Sequence, residues 1–152
     1  MPKNAEIERK FLVVNDDYKR LSTGHYDICQ GYICKEPGRT VRVRIAGDKA
    51  YLTIKAPSPN TAFSRFEWEK EIGMEDAKAL LPLCLPGMIE KTRWLVPAEP
   101  KDLTWEIDEF HGRLAGMTLA EIELESETQP YTKAPFLGEE VTGDPRYYNA
   151  NM

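Results

Sequence analysis

The sequence predicts an α+β protein, mostly antiparallel strands with a few short helices. Three observations carry that prediction. Eight runs alternate apolar with polar residues or are rich in Val, Ile, Thr, Tyr, Phe and Trp. Gly47-Asp48 separates two of these runs as a hairpin turn. Helical signals are confined to three short stretches.

Strands are expected over residues 5–13, 26–33, 40–46, 50–56, 64–72, 88–96, 103–110 and 119–126. Asn15-Asp16 can cap a short helix running through Leu21. Met74 to Leu81 reads as helical, and Pro82 should end or kink it. Asp144-Pro145 places an N-cap before a proline at the first helical position, which opens a short helix near the C-terminus. The 152 residues suffice for one domain with a real core, expected to span 1–152, without repeats, low-complexity segments or linkers.

Hydrophobic residues make up 41% and charged residues 30%, an ordinary globular balance with a rich supply of charge. The formal net charge of −5 argues against duplex DNA as a partner, although it leaves room for a local basic pocket. Cys29, Cys34 and Cys84 are odd in number and form no C-x-x-C, so neither a disulfide framework nor a zinc site is expected. A reducing cytoplasm is the expected setting. No signal peptide and no run of membrane-spanning length is present, so no membrane partner is expected.

The charges are ordered within the strands. "NAEIERKFLV" places Glu6, Glu8 and Lys10 on alternate positions, which share one face of an extended strand. Arg42 and Arg44 share a face opposite Val41, Val43 and Ile45. Lys55 lies in line with Thr53 and Tyr51. Arg65, Glu67, Glu69 and Glu71 form a further row, as do Lys91 with Arg93, Glu106 with Asp108, and Glu121 with Glu123 and Glu125. A sheet with one wet face produces such alternation with no function at all. Two features weaken that reading. The rows are sorted by sign, and like charges side by side repel unless a counterion joins them.

If the strands close into a barrel, the rows face one another across a lumen with space for side chains or one small ligand. Carboxylates without nitrogen or sulfur partners suit hard cations such as Mg²⁺ or Mn²⁺. Arginine and lysine rows suit phosphate oxygens. A metal-bound polyphosphate needs both.

These residues resemble the CYTH domain superfamily, the triphosphate tunnel metalloenzymes. The resemblance rests on E-x-E-x-K at Glu6, Glu8 and Lys10, followed in order by Arg42 and Arg44, Lys55, Glu67 and Glu69, Lys91 and Arg93, Asp108, and Glu121 and Glu123. "QGYI" with Tyr32 and the closing "GEEVTGDPRYYN" are similar to the compact bacterial members, and the likeness spans essentially the whole chain. It implies a closed eight-stranded antiparallel β-barrel, a tunnel, with short helices outside. It implies that Lys10, Arg42, Arg44, Lys55, Lys91 and Arg93 cradle a triphosphate, with Tyr32 as a lumen wall or hydrogen-bonding group. Glu6, Glu8, Asp108, Glu121 and Glu123 become metal ligands for two Mg²⁺ or Mn²⁺ ions. Lys91, Glu67 and Glu69 become catalytic, the two glutamates facing a second metal or the attacking water. Glu71, Glu106, Glu125, Arg65 and Arg146 are placed at the tunnel mouth or on the surface.

The implied activity is metal-dependent hydrolysis of a triphosphate by in-line attack of water. The short chain has few long loops to enclose a base or thiazole, which favours inorganic tripolyphosphate as the small-molecule partner. A class IV adenylyl cyclase, a thiamine triphosphatase and a non-catalytic polyphosphate-binding module stay open, as does the oligomeric state, a homodimer included. His25 and His111 share no motif and read as surface or packing residues. Ser22, Ser58, Ser64 and Ser126 lack a nucleophile-elbow context, and no P-loop is present. Trp68, Trp94 and Trp105 fall opposite the charged rows and are expected as core beneath outer helices.

Overall fold

The computed structural model describes residues 5–57, 64–100 and 102–152; the side chains at positions 5, 6, 64 and 65 also fall outside the description. The expectations for the side chains of Glu6, Ser58, Ser64 and Arg65 therefore lie outside the described residues. The strands are β1 (Ala5–Val13), β2 (Gly24–Glu36), β3 (Arg39–Ala46), β4 (Lys49–Pro57), β5 (Ser64–Ile72), β6 (Ile89–Pro97), β7 (Thr104–Phe110), β8 (Thr118–Leu124) and β9 (Leu137–Glu140). The helices are α1 (Asp17–Leu21) and α2 (Met74–Leu80), the latter running into a 3₁₀ turn over Leu81–Leu83 that contains Pro82. The helix expected from Asp144-Pro145 is a 3₁₀ turn, Pro145–Tyr147, with the Asp144 carboxylate accepting from the Arg146 amide.

All pairings are antiparallel, in the order β5-β4-β3-β2-β6-β7-β8-β1-β9, with β5 and β1 also meeting. The expectation of a closed eight-stranded barrel is corrected here. The sheet has nine strands, and it is not sealed along its length. β5 meets β1 over only Ala5–Ile7 and Ser64–Phe66. Farther along β1, Phe11 and Val13 pair instead with Glu140 and Leu137 of β9. One strand edge is thus shared between two partners, and the curled sheet remains open beyond the short β1–β5 join. β9 escapes sequence reading because "LGEE" contains little that favours a strand. It is pinned by Arg9, whose guanidinium donates to both Glu140 carboxylate oxygens at 2.6 and 2.9 Å.

Turn chemistry sets the register. Gly47 sits at φ 61° at the first of two central positions between Ala46 and Lys49, as a type II′ hairpin demands. Pro37-Gly38 joins β2 to β3, with Gly38 at φ 76° in the second central position, the pattern of a type II turn. Within β2 the register slips between Tyr32 and Cys34. This bulge reverses which side chains face inward for the rest of the strand.

The apolar residues lie mainly on the outside of the curl. Ile7, Phe11, Trp105, Ile107, Ala120 and Ile122 form a buried cluster with Tyr18 of α1 and Phe136. α2 covers Val43 and Ala50 of β3 and β4 through Ala77. Trp105 is buried as expected, although its aromatic neighbours are Phe11, Tyr131 and Phe136. Trp68 departs from expectation: it is 38% exposed, beside an equally exposed Ile54 on the neighbouring strand. The inward face carries the charged rows. Its one apolar end, formed by Tyr32, Ile89, Phe110 and Leu119, is packed by Tyr147, Ala150 and Met152.

Candidate active site

Strand alternation brings most of the charged rows onto one enclosed surface. Their cavity has two lobes, of about 410 and 540 Å³, which share Arg42, Arg44, Lys55, Arg93 and Glu121 as walls. The first lobe adds Glu8, Lys10, Tyr32 and Lys91, and the second adds Glu67, Glu69, Glu106 and Glu123. Residues from eight strands, β1 to β8, therefore converge. Glu71 and Glu125 are exposed outside the cavity. Arg146 is exposed and paired with Asp144 at 2.7 Å.

The basic side is dense. Lys10, Arg42, Lys91 and Arg93 are all buried. Burial, reinforced by Arg42 and Arg93, lowers the Arg44 pKa to about 10. Burial also lowers Lys91 to about 7; Arg93 and Arg44 push the same way, and Asp108 opposes them. Asp108 is the anchor. Its carboxylate accepts from Lys91 Nζ at 2.7 Å and from Arg93 Nε and Nη2 at 2.8 and 2.9 Å. Burial works against its ionised form, but Arg93 and Lys91 outweigh it and hold the pKa well below the ordinary carboxylate range. For Arg93, burial is likewise outweighed by Asp108 and Glu106, and the pKa stands well above its usual value. Asp108 was expected to bind metal; in the structure its oxygens are engaged by two cations. Arg42 donates through Nη2 to Thr53 Oγ1 at 3.2 Å, while its buried Nε–H finds no acceptor among the described residues. A buried donor without a partner costs about 1–3 kcal/mol, so Arg42 sits in the wall at a cost to the fold.

On the acidic side, Glu8 stands opposite Glu123 and Lys10 opposite Glu121 in the β1–β8 register. Lys10 Nζ lies 3.2 Å from Glu121 Oε1. Burial disfavours the Glu121 carboxylate, but Lys10 and a hydrogen bond from Glu8 outweigh it and lower the pKa. Two carboxyl groups thus meet across β1 and β8, an arrangement that a cation relieves. Among the described residues no three of His, Cys, Asp and Glu converge tightly enough to enclose a metal by themselves. The Glu8–Glu121 pair nevertheless fits a hard ion that takes one or two carboxylates and fills its shell with water and phosphate oxygens. In the second lobe, Lys55 Nζ lies 3.6 Å from Glu67, and Glu69 Oε2 accepts from Thr53 Oγ1 at 2.7 Å.

Lys35, Thr53, Gln30 and Asn149 line or support the cavity and were given no role from the sequence, although Gln30 and Asn149 fall within "QGYI" and "GEEVTGDPRYYN". Lys35 should face outward by simple alternation, and the β2 bulge turns it to the first lobe, where it sits over the Tyr32 ring. Thr53 looked like a neutral member of the Lys55 row. Gln30 is fully buried, and its carbonyl accepts from Arg44 Nε at 3.1 Å. Asn149 belongs to the C-terminal segment, whose approach no periodicity reveals. The histidines lie outside both lobes: His25 stacks on Trp94 at 4.3 Å, and His111 Nε2 is 2.7 Å from Thr92 Oγ1.

Comparison with known proteins adds independent findings. The family model of the CYTH domain matches residues 4–148. An inorganic triphosphatase of Acetivibrio thermocellus is 46% identical over 148 residues, covering 97% of this chain and 92% of that protein. An inorganic triphosphatase of Nitrosomonas europaea is 34% identical, covering 95% and 94%. The crystal structure of the inorganic triphosphatase NE1496 superposes with a TM-score of 0.65 at 31% identity, covering 96% of this chain and 92% of the other. Among the described residues, no helix is long and apolar enough to cross a membrane.

Proposed function

We propose, for a chain that belongs to the CYTH domain family, that it hydrolyses inorganic tripolyphosphate inside the two-lobed cavity. The family depends on divalent metal ions in general. The observation that carries the substrate class is the convergence of Lys10, Arg42, Arg44, Lys55, Lys91 and Arg93 on the first lobe, a surface suited to an anion with many oxygens. The names of the relatives support the same reading.

Arg42, Arg44, Lys55, Lys91, Arg93 and Lys10 hold the phosphate oxygens and stabilise the charge that develops on the transferred and leaving groups. Asp108 acts from behind, fixing Lys91 and Arg93 in position. Glu8 and Glu121, joined by Glu6 and Glu123, hold Mg²⁺ or Mn²⁺ as a pair of ions. When bound, such metal screens phosphate charge and lowers the pKa of coordinated water. Glu67 and Glu69, in the second lobe, orient the attacking water and accept its proton. Attack at a terminal phosphorus breaks the bridging P–O bond and releases orthophosphate and pyrophosphate. Tyr32 closes the wall of the first lobe.

The test presents tripolyphosphate, ATP and thiamine triphosphate in parallel, with Mg²⁺, Mn²⁺ or a chelator, and resolves the products. Orthophosphate with pyrophosphate, formed fastest from tripolyphosphate and abolished by chelation, is the expected result. Cyclic nucleotide as the main product from ATP overturns the proposal in favour of a cyclase. Binding of tripolyphosphate without phosphate release overturns it in favour of a binding module.

A further inference from the structure

The end of the chain does more than cover the sheet. After β9 it turns back through Pro145–Tyr147 and a second 3₁₀ turn, Asn149–Asn151. It is held there from two sides. Lys10 Nζ donates to the Tyr147 carbonyl at 2.9 Å, and Tyr147, Ala150 and Met152 pack on the apolar end of the inner face. This seating delivers one polar side chain into the cation wall. The Asn149 amide oxygen accepts from Lys91 Nζ at 2.9 Å and from Gln30 Nε2 at 3.1 Å. Gln30, fully buried, passes the chain on, its carbonyl accepting from Arg44 Nε. Two neutral amides therefore connect two cations that lie on different strands.

The geometry has a direct consequence for donors. The Lys91 ammonium has three N–H bonds. Asp108 and Asn149 accept two of them, which leaves one for an acceptor in the lobe that Lys91 lines. Arg44 spends Nε–H on Gln30, and its guanidinium plane is then set so that the terminal nitrogens remain for phosphate. Because the connecting groups are amides, they orient the cations without cancelling their charge. A carboxylate could orient them equally well but would oppose a polyanion.

We propose that Asn149 and Gln30 are positioning residues that act as one unit, aligning Lys91 and Arg44 for the triphosphate. This rests on the tripolyphosphatase reading above. Neither residue is placed among the groups that touch reacting atoms, so their effect should appear in turnover through the cations they hold. Groups that orient metal ligands account for about 10–100-fold in affinity or activity, and an effect of the same order is expected for groups that orient these cations.

The experiment compares wild type, Asn149→Ala, Asn149→Asp, Gln30→Met and the double variant Asn149→Ala/Gln30→Met, with tripolyphosphate and Mg²⁺, alongside thermal melting of each. Asn149→Ala and Gln30→Met should each lower kcat by about 10–100-fold. The double variant should fall little below either single variant, because the two residues serve one arrangement. Asn149→Asp keeps the accepting oxygen; it should restore kcat to within about threefold of wild type and raise KM, since its charge repels the substrate. A kcat near wild type in Asn149→Ala overturns the proposal. So does a double variant whose loss is the product of the single losses, or a loss that follows the melting temperature and is not rescued in Asn149→Asp. If wild type itself releases no phosphate, the functional reading has failed and this inference falls with it. Active wild type with unaffected variants refutes the inference alone.

Discussion

Asp108→Ala is expected to destabilise the protein by about 3–5 kcal/mol, the range seen when one partner of a buried ionic group is removed. The carboxylate accepts three hydrogen bonds from two buried cations. Without it, Lys91 and Arg93 remain inside the sheet with Arg44 nearby and lose the one anion that holds both. Against a total stability of about 5–15 kcal/mol, such a loss is a large share. Denaturant unfolding of the two proteins at neutral pH measures it, and a difference under about 1 kcal/mol would refute the account. The effect also has a pH signature. The folded-state pKa of Asp108 is depressed, so its contribution is fully present above the unfolded carboxylate value and is lost as pH falls through the folded one. The gap between wild type and Asp108→Ala should therefore narrow in acid, below about pH 4.

Arg42→Met should show the reverse balance. We expect kcat/KM for tripolyphosphate to fall by about 10²–10³, as for loss of other preorganised donors, while the melting temperature without substrate stays level or rises. Arg42 is buried, stands close to other cations, and has an Nε–H without an acceptor among the described residues. Its bonds to Thr53 and Glu69, the latter a 3.7 Å contact, offset only part of that cost. A methionine fills similar volume with no charge to bury. The same variant should lose most of the thermal stabilisation that tripolyphosphate confers on wild type. Full activity in Arg42→Met would remove Arg42 from the cradle, and a collapse in substrate-free stability would mean the residue serves the fold.

Alternation made the eight longer strands legible, and with them the parity that gathers Glu8, Lys10, Arg42, Arg44, Lys55, Lys91, Arg93 and Glu121 around one cavity. What stayed hidden depends on breaks in that period. The β2 bulge carries Lys35 inward against its sequence parity, and β9 has too few strand-favouring residues to announce itself. The expected closure into eight strands failed because β1 shares one edge between β5 and β9, a tertiary competition that no local pattern encodes. Charge sorting placed Asp108 beside Lys91 and Arg93 in sequence order but did not reveal that its carboxylate accepts hydrogen bonds from both. Asn149 and Gln30 carry no charge, so sorting by sign passed over both.

The crowding of arginines and lysines behind an outer apolar coat ties handling to anion content. If the proposed cradle takes phosphate oxygens, orthophosphate, sulfate or citrate in a storage buffer should raise the melting point by binding the same donors. Chloride-based solutions, and dialysis against them before any titration, give the baseline from which affinity is rightly counted.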